Sequence, residues 1–282
     1  MDIESYEDRL DRDREWAMSE GSIFFQGKSE VQQTLKKIAN KLGELGIDYV
    51  VVGGMAMFQH GYRRFTDDVD LLVTREGLKE IHQRLEGLGY LPPFQGSKSL
   101  RDVENGVTIE FLVTGDFPGD GKPKPVAFPI PGSVVHEMDG IRYISLHALI
   151  ELKLASGMTN PERMRDLADV IELIKALDLP LAFADSLNFF VRDEFKRLWH
   201  VAHPPAKRYI ILWPRGQHTP RAKSLEDLIV RFASATAVLR SMIADGVTLD
   251  SEYSDDYFCL QTTDPVIAKK YDMHDETEFL KR

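Results

Sequence analysis

Two short motifs in this chain could together bind a phosphate through a metal ion. Gly53-Gly54 follows an apolar run typical of a strand, and thirteen residues later come Asp68 and Asp70 around a single valine. Side chains alternate along a strand, so we expect both carboxylates on one face, about 7 Å apart along the backbone. Two such charges repel by roughly 1 kcal/mol in water and by more when partly buried. A divalent cation turns that repulsion into coordination, and Mg²⁺ prefers one or two carboxylates plus substrate phosphates.

The glycine pair lies where the predicted strand gives way to a short helix. Without side chains the backbone can approach a phosphate, and the start of a helix offers free N–H groups. Taken singly, a Gly-Gly after a strand is usually a turn and an Asp-x-Asp is usually solvated. Their order and spacing together favour a nucleotide site.

This arrangement resembles the signature of the DNA polymerase β-like nucleotidyltransferase superfamily. There a strand, Gly-Gly or Gly-Ser and a short helix precede Asp-hydrophobic-Asp on the next strand. Arg64 and Thr66, in the run RFTDD, match the Arg-x-Thr that often stands before the paired acids in minimal members. Gly54 occupies a place where many members have serine, so a hydroxyl contact to phosphate is absent, although glycine is also a family variant.

The resemblance implies an α+β fold, with a nucleotidyltransferase-type mixed β-sheet flanked by helices. It also implies two Mg²⁺ ions held by Asp68 and Asp70, and an NTP as co-substrate. Gly53 and Gly54 would cradle its β- and γ-phosphates. Arg64 and Thr66 are then expected among the nucleotide-binding residues.

A third carboxylate, Glu110, lies in the run TIEFL, which has the pattern that the superfamily commonly uses for its later acid. The resemblance implies that Glu110 is either the general base for the attacking hydroxyl or a ligand of the second metal ion. The alternative is structural. A two-residue turn at Asn105-Gly106 would place Glu110 opposite Arg101, where the two would form a cross-strand ion pair.

A later stretch, Lys153 on an apolar helix and then RMRDLAD from Arg163, resembles the last motif of the toxin-type branch, which includes abortive-infection toxins of type IV toxin–antitoxin systems. Arg165 stands where that motif has lysine. The resemblance implies that Lys153 reaches the triphosphate and that Asp166 holds or orients the nucleotide. The alternative is a solvent-facing ladder of ion pairs, because Arg163, Asp166 and Asp169 are three apart on one helical face.

The spacing of apolar residues predicts the elements that position these groups. Helices are expected over 29–46, 55–60 and 75–88, and strands over 47–52 and 68–73. Asn105-Gly106 and Asp139-Gly140 are each predicted to join a hairpin, and the Gly- and Pro-rich loop 115–131 is predicted to be an insertion or a lid. Further helices are expected over 145–156, 160–177, 183–199 and 225–245.

Four segments are expected along the chain. Residues 1–28 form an acidic leader that is solvated or frayed, and residues 29–145 form the nucleotidyltransferase core. Residues 146–203 add a helical segment that completes the nucleotide site. Residues 204–282 form a small C-terminal α/β appendage of unassigned role, in which the locally basic run 213–223 is a candidate surface for docking an acceptor.

Composition narrows the classes of protein. The chain has 282 residues, 43% of them hydrophobic, a net charge of −10 and one cysteine. This excludes a mainly disordered chain, a disulfide framework and a cysteine-based zinc site. An acidic chain is not drawn as a whole to nucleic acid or anionic membranes. With no apolar run long enough for a membrane span and no basic signal-peptide start, we expect a soluble cytoplasmic protein.

The expected function is Mg²⁺-dependent transfer of NMP from an NTP to a hydroxyl acceptor, with release of pyrophosphate. The acceptor stays open between RNA, protein and a small molecule. Two alternatives remain. The chain could be the toxin of a type IV toxin–antitoxin system, acting on tRNA or other RNA and paired with a cognate antitoxin. It could also be an inactive nucleotide-binding or interaction protein of the same fold.

Overall fold

A seven-stranded mixed sheet is the centre of the first of two units, which meet between His203 and Pro204 in the sequence. The computed structural model describes residues 4–204, 206–215, 222–232, 235–251, 253–254 and 256–279. The strands are β1 Tyr49–Val51, β2 Asp68–Val73, β3 Tyr90–Leu91, β4 Leu100–Asp102, β5 Thr108–Val113, β6 Val135–Met138 and β7 Ile141–Ile144.

The strand order is β3-β4-β5-β2-β1-β7-β6. The pairs β2–β5 and β1–β7 are parallel, and the other neighbours are antiparallel. The α-helices of this unit are α1 Tyr6–Arg12, α2 Arg14–Phe24, α3 Glu30–Glu44, α4 Gly53–Gln59, α5 Arg75–Leu85, α6 Leu146–Thr159, α7 Met164–Ala176 and α8 Phe189–Ala202. The predicted α+β fold with a mixed sheet flanked by helices is confirmed.

Helix α3 shows how the sequence pattern becomes packing. Ser29 and Gln32 form a capping box at its start, which satisfies free backbone donors of the first turn. The predicted apolar stripe is buried against the sheet at Val31, Leu35 and Ile38. Helix α6 differs because it is buried on most of its sides between α7 and α8. Its Lys153 is therefore buried as well.

The acidic N-terminal segment is helical and packed, not frayed. Tyr6 on α1 and Phe24 on α2 are fully buried in the main core. The Tyr6 hydroxyl donates to Glu20 Oε1 at 3.0 Å, and the backbone N–H of Glu30 donates to the same oxygen at 2.6 Å. Because acidic residues dominate this segment, its sequence did not reveal that Tyr6 and Phe24 belong to the core. Their burial and the hydrogen bonds to Glu20 hold α1 and α2 against the start of α3.

The turn at Asn105-Gly106 is longer than predicted. Residues 103–106 form the loop, and Arg101 pairs with Thr108, not with Glu110. The Asn105 side chain explains the difference, because it accepts from the N–H of Val107 at 3.1 Å and exchanges hydrogen bonds with Thr34 on α3. The structural alternative for Glu110, a cross-strand ion pair with Arg101, is therefore wrong.

The second hairpin forms as predicted, and residues 115–131 form a loop that contacts α6. Asp139 and Gly140, both with positive φ (52° and 73°), form the predicted two-residue turn between β6 and β7. The loop 115–131 is fastened to the end of α6, where Lys124 Nζ donates to Thr159 Oγ1 at 2.9 Å. It forms a wall of the cavity described below.

The second unit contains a four-stranded antiparallel sheet with its own apolar core. Its strands are β8 Tyr209–Pro214, β9 Thr248–Asp250, β10 Tyr257–Thr262 and β11 His274–Asp275, in the order β11-β8-β10-β9. Its helices are α9 Leu225–Arg231, α10 Thr236–Ala244, α11 Pro265–Lys270 and α12 Glu276–Phe279.

The single helix predicted over 225–245 is wrong, because α9 ends at Arg231 and α10 begins at Thr236. Phe232 leaves the helical conformation, and its ring contacts those of Trp213 and Phe258 at centroid distances of 5.5 and 5.8 Å. Most of the basic run expected to dock an acceptor, residues 216–221, lies outside the described residues. No described helix has the length and apolar character needed to cross a membrane.

Candidate active site

Three carboxylates meet on one face of the sheet. Asp70 and Glu110 occupy the same register position of the parallel strands β2 and β5, and Asp68 lies two residues before Asp70. One oxygen from each residue lies within 4.8 Å of the others. Asp68 and Asp70 are partly buried, whereas Glu110 is exposed. Hard oxygen donors at this spacing are the ligands that Mg²⁺ prefers.

The electrostatics of this cluster favour a cation. Burial, then the charges of Asp68 and Glu110, raise the pKa of Asp70 well above its usual range. Burial also raises the pKa of Asp68, although the Thr66 hydroxyl, which donates to its Oδ1 at 2.7 Å, acts in the opposite direction. Partial burial of its carboxyl and the nearby Asp68 raise the pKa of Glu110. Ionised together, the three groups destabilise one another unless a cation lies between them.

Gly53 and Gly54 pack directly against this cluster. A Cβ on Gly53 would lie 1.7 Å from Asp70 Oδ2, and Gly53 has a φ of +59°. A Cβ on Gly54 would lie 2.7 Å from Thr66 Cβ. Helix α4 begins at Gly53 itself, two residues before the predicted start at Met55, and no side chain caps it. The glycines thus have a packing role as well as the predicted approach to phosphate.

Lys153 lies between two carboxylates of α7. Its ammonium group donates to Asp166 Oδ1 at 2.8 Å and to Asp169 Oδ2 at 2.7 Å, and the Ser156 hydroxyl donates to Asp166 Oδ2 at 2.7 Å. The predicted alternative, a solvent-facing ladder with Arg163, is wrong, because both aspartates turn inward toward α6.

Arg64 joins the same network from the segment before β2. Its Nη2 donates to Asp169 Oδ2 at 3.2 Å, and its Nε lies 3.2 Å from Asp169 Oδ1. The buried Asp169 therefore links Arg64 with Lys153, and so joins the approach to β2 with α6 and α7. We did not predict this central position of Asp169, although its spacing from Asp166 in the motif was a signal for it.

The structure brings all nine predicted site residues into the lining of one cavity of about 330 Å³. One side of the cavity carries the three carboxylates, the glycine pair and the Lys153 network. The lining also contains apolar residues, namely Leu112, Pro118, Phe128, Leu149 and Leu152. Arg163 and Arg165, which we did not assign to the site, also line it.

A known family matches the central segment of the chain. Residues 31–85 match the DUF2204 family, described as a nucleotidyl transferase of unknown function. This range runs from α3 to α5 and contains the glycine pair, Asp68 and Asp70. The match supports the nucleotidyltransferase superfamily.

Three solved structures resemble the chain distantly. The crystal structure of ANT(2″)-Ia in complex with adenylyl-2″-tobramycin is 14% identical, with 75% of this chain and 97% of that chain covered and a TM-score of 0.33. An antigenic nucleotidyltransferase-like protein from Paracoccidioides brasiliensis is 16% identical, covering 75% and 92%, with a TM-score of 0.37. The solution structure of the antibiotic-resistance factor ANT(2″)-Ia is 18% identical, covering 76% and 94%, with a TM-score of 0.32. No curated protein matches the chain significantly.

Proposed function

We propose that this protein is a Mg²⁺-dependent nucleotidyltransferase that transfers NMP from an NTP to a hydroxyl acceptor and releases pyrophosphate. One observation carries the proposal. The carboxylates of Asp68, Asp70 and Glu110 converge beside the first turn of α4, in the lining of the same cavity. The three carboxylates repel one another without a cation, and an NTP would supply both a Mg²⁺ ion and phosphate oxygens at this place.

The carboxylates would hold the metal and accept the proton. Asp68, Asp70 and Glu110 would bind up to two Mg²⁺ ions, which supply positive charge to the triphosphate. Glu110 is the exposed member, so it would meet the incoming acceptor and take the proton of its hydroxyl. The acceptor oxygen then forms a bond to the α-phosphorus as the bond from that phosphorus to the bridging oxygen breaks, and pyrophosphate leaves. Positioning and neutralisation of charge supply most of the catalysis in such a transfer.

The neighbouring residues would orient the nucleotide and the acids. The uncapped first turn of α4, at Gly53 and Gly54, would donate backbone N–H groups to phosphate. The Thr66 hydroxyl fixes one oxygen of Asp68. Lys153 uses two of its three N–H groups on Asp166 and Asp169, which leaves one for the nucleotide.

The toxin of a type IV system is a second candidate, because Lys153, Asp166 and Asp169 of the toxin-type motif form one hydrogen-bonded network. Asp166 and Asp169 both accept from Lys153, the lysine of the helix that precedes them in that motif. In this case the acceptor would be tRNA or another RNA, and a cognate antitoxin would be the partner. Growth arrest on expression, relieved by the aspartate substitutions below, is the expected result.

The test of nucleotidyl transfer is a double substitution, Asp68→Asn with Asp70→Asn. Each α-labelled NTP is incubated with Mg²⁺ and total RNA, and then with total protein. We expect the wild type to label an acceptor and the double variant to lose labelling while it remains folded by circular dichroism. Glu172→Gln, which removes an exposed carboxylate of α7 paired with Lys175, is the matched control and should retain activity.

Equal labelling by the double variant would reject the mechanism. Wild-type binding of Mg²⁺·NTP without labelling of any acceptor would favour an inactive nucleotide-binding protein.

A further inference from the structure

Of the cationic side chains that line the cavity, some form ion pairs with neighbouring carboxylates and others do not. Four cationic side chains line it: Arg64, Lys153, Arg163 and Arg165. Lys153 is held by both Asp166 and Asp169, and Arg64 is held by Asp169. These two cations and two carboxylates neutralise one another. Lys153 can still donate a hydrogen bond to a ligand, but its charge is already compensated.

Arg163 and Arg165 are different. Both are exposed at the start of α7, and neither forms an ion pair within the part of the chain that the structure describes. The charge of Arg163 acts on Glu110, where it lowers the pKa of the carboxyl against the effect of burial. Among the described residues that line the cavity, these two guanidinium groups are therefore the cations that no ion pair holds in place.

The backbone that carries these arginines is held in place. Asn160 accepts from the N–H of Glu162 through its side chain at 3.0 Å and from the N–H of Arg163 through its carbonyl at 2.9 Å. Gly157 on α6 lets this turn approach closely, because a Cβ there would lie 2.5 Å from Leu167 Cγ and 3.2 Å from the Arg163 carbonyl oxygen. The arginines thus project from a fixed turn at the cavity.

We propose that Arg163 and Arg165 hold the triphosphate of the bound nucleotide, whereas Lys153 is chiefly a positioning residue for Asp166 and Asp169. This inference rests on the proposed function and assigns the residues that bind its co-substrate. A guanidinium group donates paired N–H groups that match phosphate oxygens, and its charge persists at every physiological pH. A cavity of about 330 Å³ has the size of a small-molecule site, which favours a nucleotide over a nucleic-acid strand at this place.

The test measures binding of inorganic tripolyphosphate and of ATP, each with Mg²⁺, by isothermal titration calorimetry. We expect Arg163→Gln and Arg165→Gln each to weaken both ligands by roughly tenfold, which is about 1.4 kcal/mol, and the double variant to weaken them further. Arg163→Lys and Arg165→Lys retain the charge and should recover part of the affinity. Arg84→Gln removes a similarly exposed arginine from α5, outside the cavity lining, and should bind as the wild type does.

Thermal stability distinguishes the role of Lys153 from that of the two arginines. Lys153→Gln leaves Asp166 and Asp169 without their shared cation, so we expect a lower Tm than in either arginine variant. The arginine variants should keep the wild-type Tm because both side chains are exposed. Where transfer is measured, they should raise KM for the NTP more than they lower kcat.

The outcomes distinguish this inference from the proposed function. If the wild type binds Mg²⁺·ATP and the arginine variants bind it equally well, the assignment of the triphosphate is wrong while nucleotide binding stands. If the variants bind both ligands normally but lose affinity for a short RNA oligonucleotide, the arginines serve the acceptor and the assignment is again wrong. If the wild type binds neither ligand, the proposed function fails, and this inference fails with it.

Discussion

Glu110 lies directly beside Asp70, at the same register position of two parallel strands. Neighbouring strands are about 4.8 Å apart, so same-face carboxylates at one register position are neighbours. Within the described ranges neither carboxylate forms an ion pair, because the nearby Lys153 and Arg64 pair with aspartates of α7 instead. This relationship makes the acid cluster a source of instability in the metal-free protein, and under the proposed function a bound Mg²⁺ would relieve it.

Asp70→Asn should therefore stabilise the metal-free protein. The pKa of Asp70 is raised in the folded state, so this carboxyl opposes folding at neutral pH; the opposition declines as the pH falls from the raised pKa and vanishes below the ordinary pKa of an aspartate. The amide removes the charge and keeps the shape. We expect a gain of on the order of 1 kcal/mol, or about 2–4 °C in Tm at pH 7.5, by differential scanning fluorimetry in EDTA. A lower Tm in EDTA would contradict this account of the cluster.

Stabilisation by Mg²⁺ should decline as the pH falls. Protons and the metal compete for the same oxygens, and burial has raised the pKa of Asp68, Asp70 and Glu110, so protonation begins closer to neutrality than for ordinary carboxylates. We expect the Tm increase produced by Mg²⁺ to be largest near pH 8 and to shrink towards pH 5. The Asp68→Asn/Asp70→Asn variant should show little increase at any pH. An increase that is independent of pH would show that these groups do not bind the metal.

Most elements around the sheet of the first unit, and the grouping of the three acids, could be predicted from the sequence, but the register between β4 and β5 could not. The spacing of apolar residues determined β2 and α3 well, because a single buried face requires it. The structural alternative placed Glu110 opposite Arg101 because the turn length was inferred from Asn105-Gly106 alone. The side chain of Asn105 bonds to Thr34 on α3, a residue distant in sequence. Only the tertiary structure contains that contact.

The N-terminal helices and the Lys153 network escaped prediction for a related reason. Charge density suggested a solvated leader over 1–28, whereas Tyr6 on α1 and Phe24 on α2 are fully buried in the core. Regular spacing suggested a surface ladder at Arg163, but the buried Lys153 draws the aspartates inward. In the N-terminal helices and in α7 alike, contacts with buried residues determine the packing more strongly than the local sequence pattern does.

Gly53→Ala should be destabilising and should weaken metal binding. The added Cβ would lie 1.7 Å from Asp70 Oδ2 at a φ of +59°, so the aspartate has to move away from its position beside Glu110. Gly87→Ala is the matched control, because its φ is +82° but nothing lies within 4 Å of the added Cβ. The control carries only the backbone strain, about 1 kcal/mol. We expect a larger loss of Tm for Gly53→Ala and a smaller increase on adding Mg²⁺. Equal losses and equal Mg²⁺ responses in the two variants would show that close packing on Asp70 is unimportant.

Asp169→Asn should cause the largest loss of stability among the site variants. Its carboxylate is 4% exposed and is the partner of both Arg64 and Lys153. Removing one partner of a buried ion pair leaves an uncompensated charge, which typically lowers the free energy of unfolding by about 3–5 kcal/mol. Asp193→Asn, on the exposed side of α8, is the control and should stay within about 0.5 kcal/mol of the wild type. Urea unfolding followed by circular dichroism measures both. A small loss for Asp169→Asn would mean that Arg64 and Lys153 do not depend on this carboxylate, and the link between β2 and α7 would have to lie elsewhere.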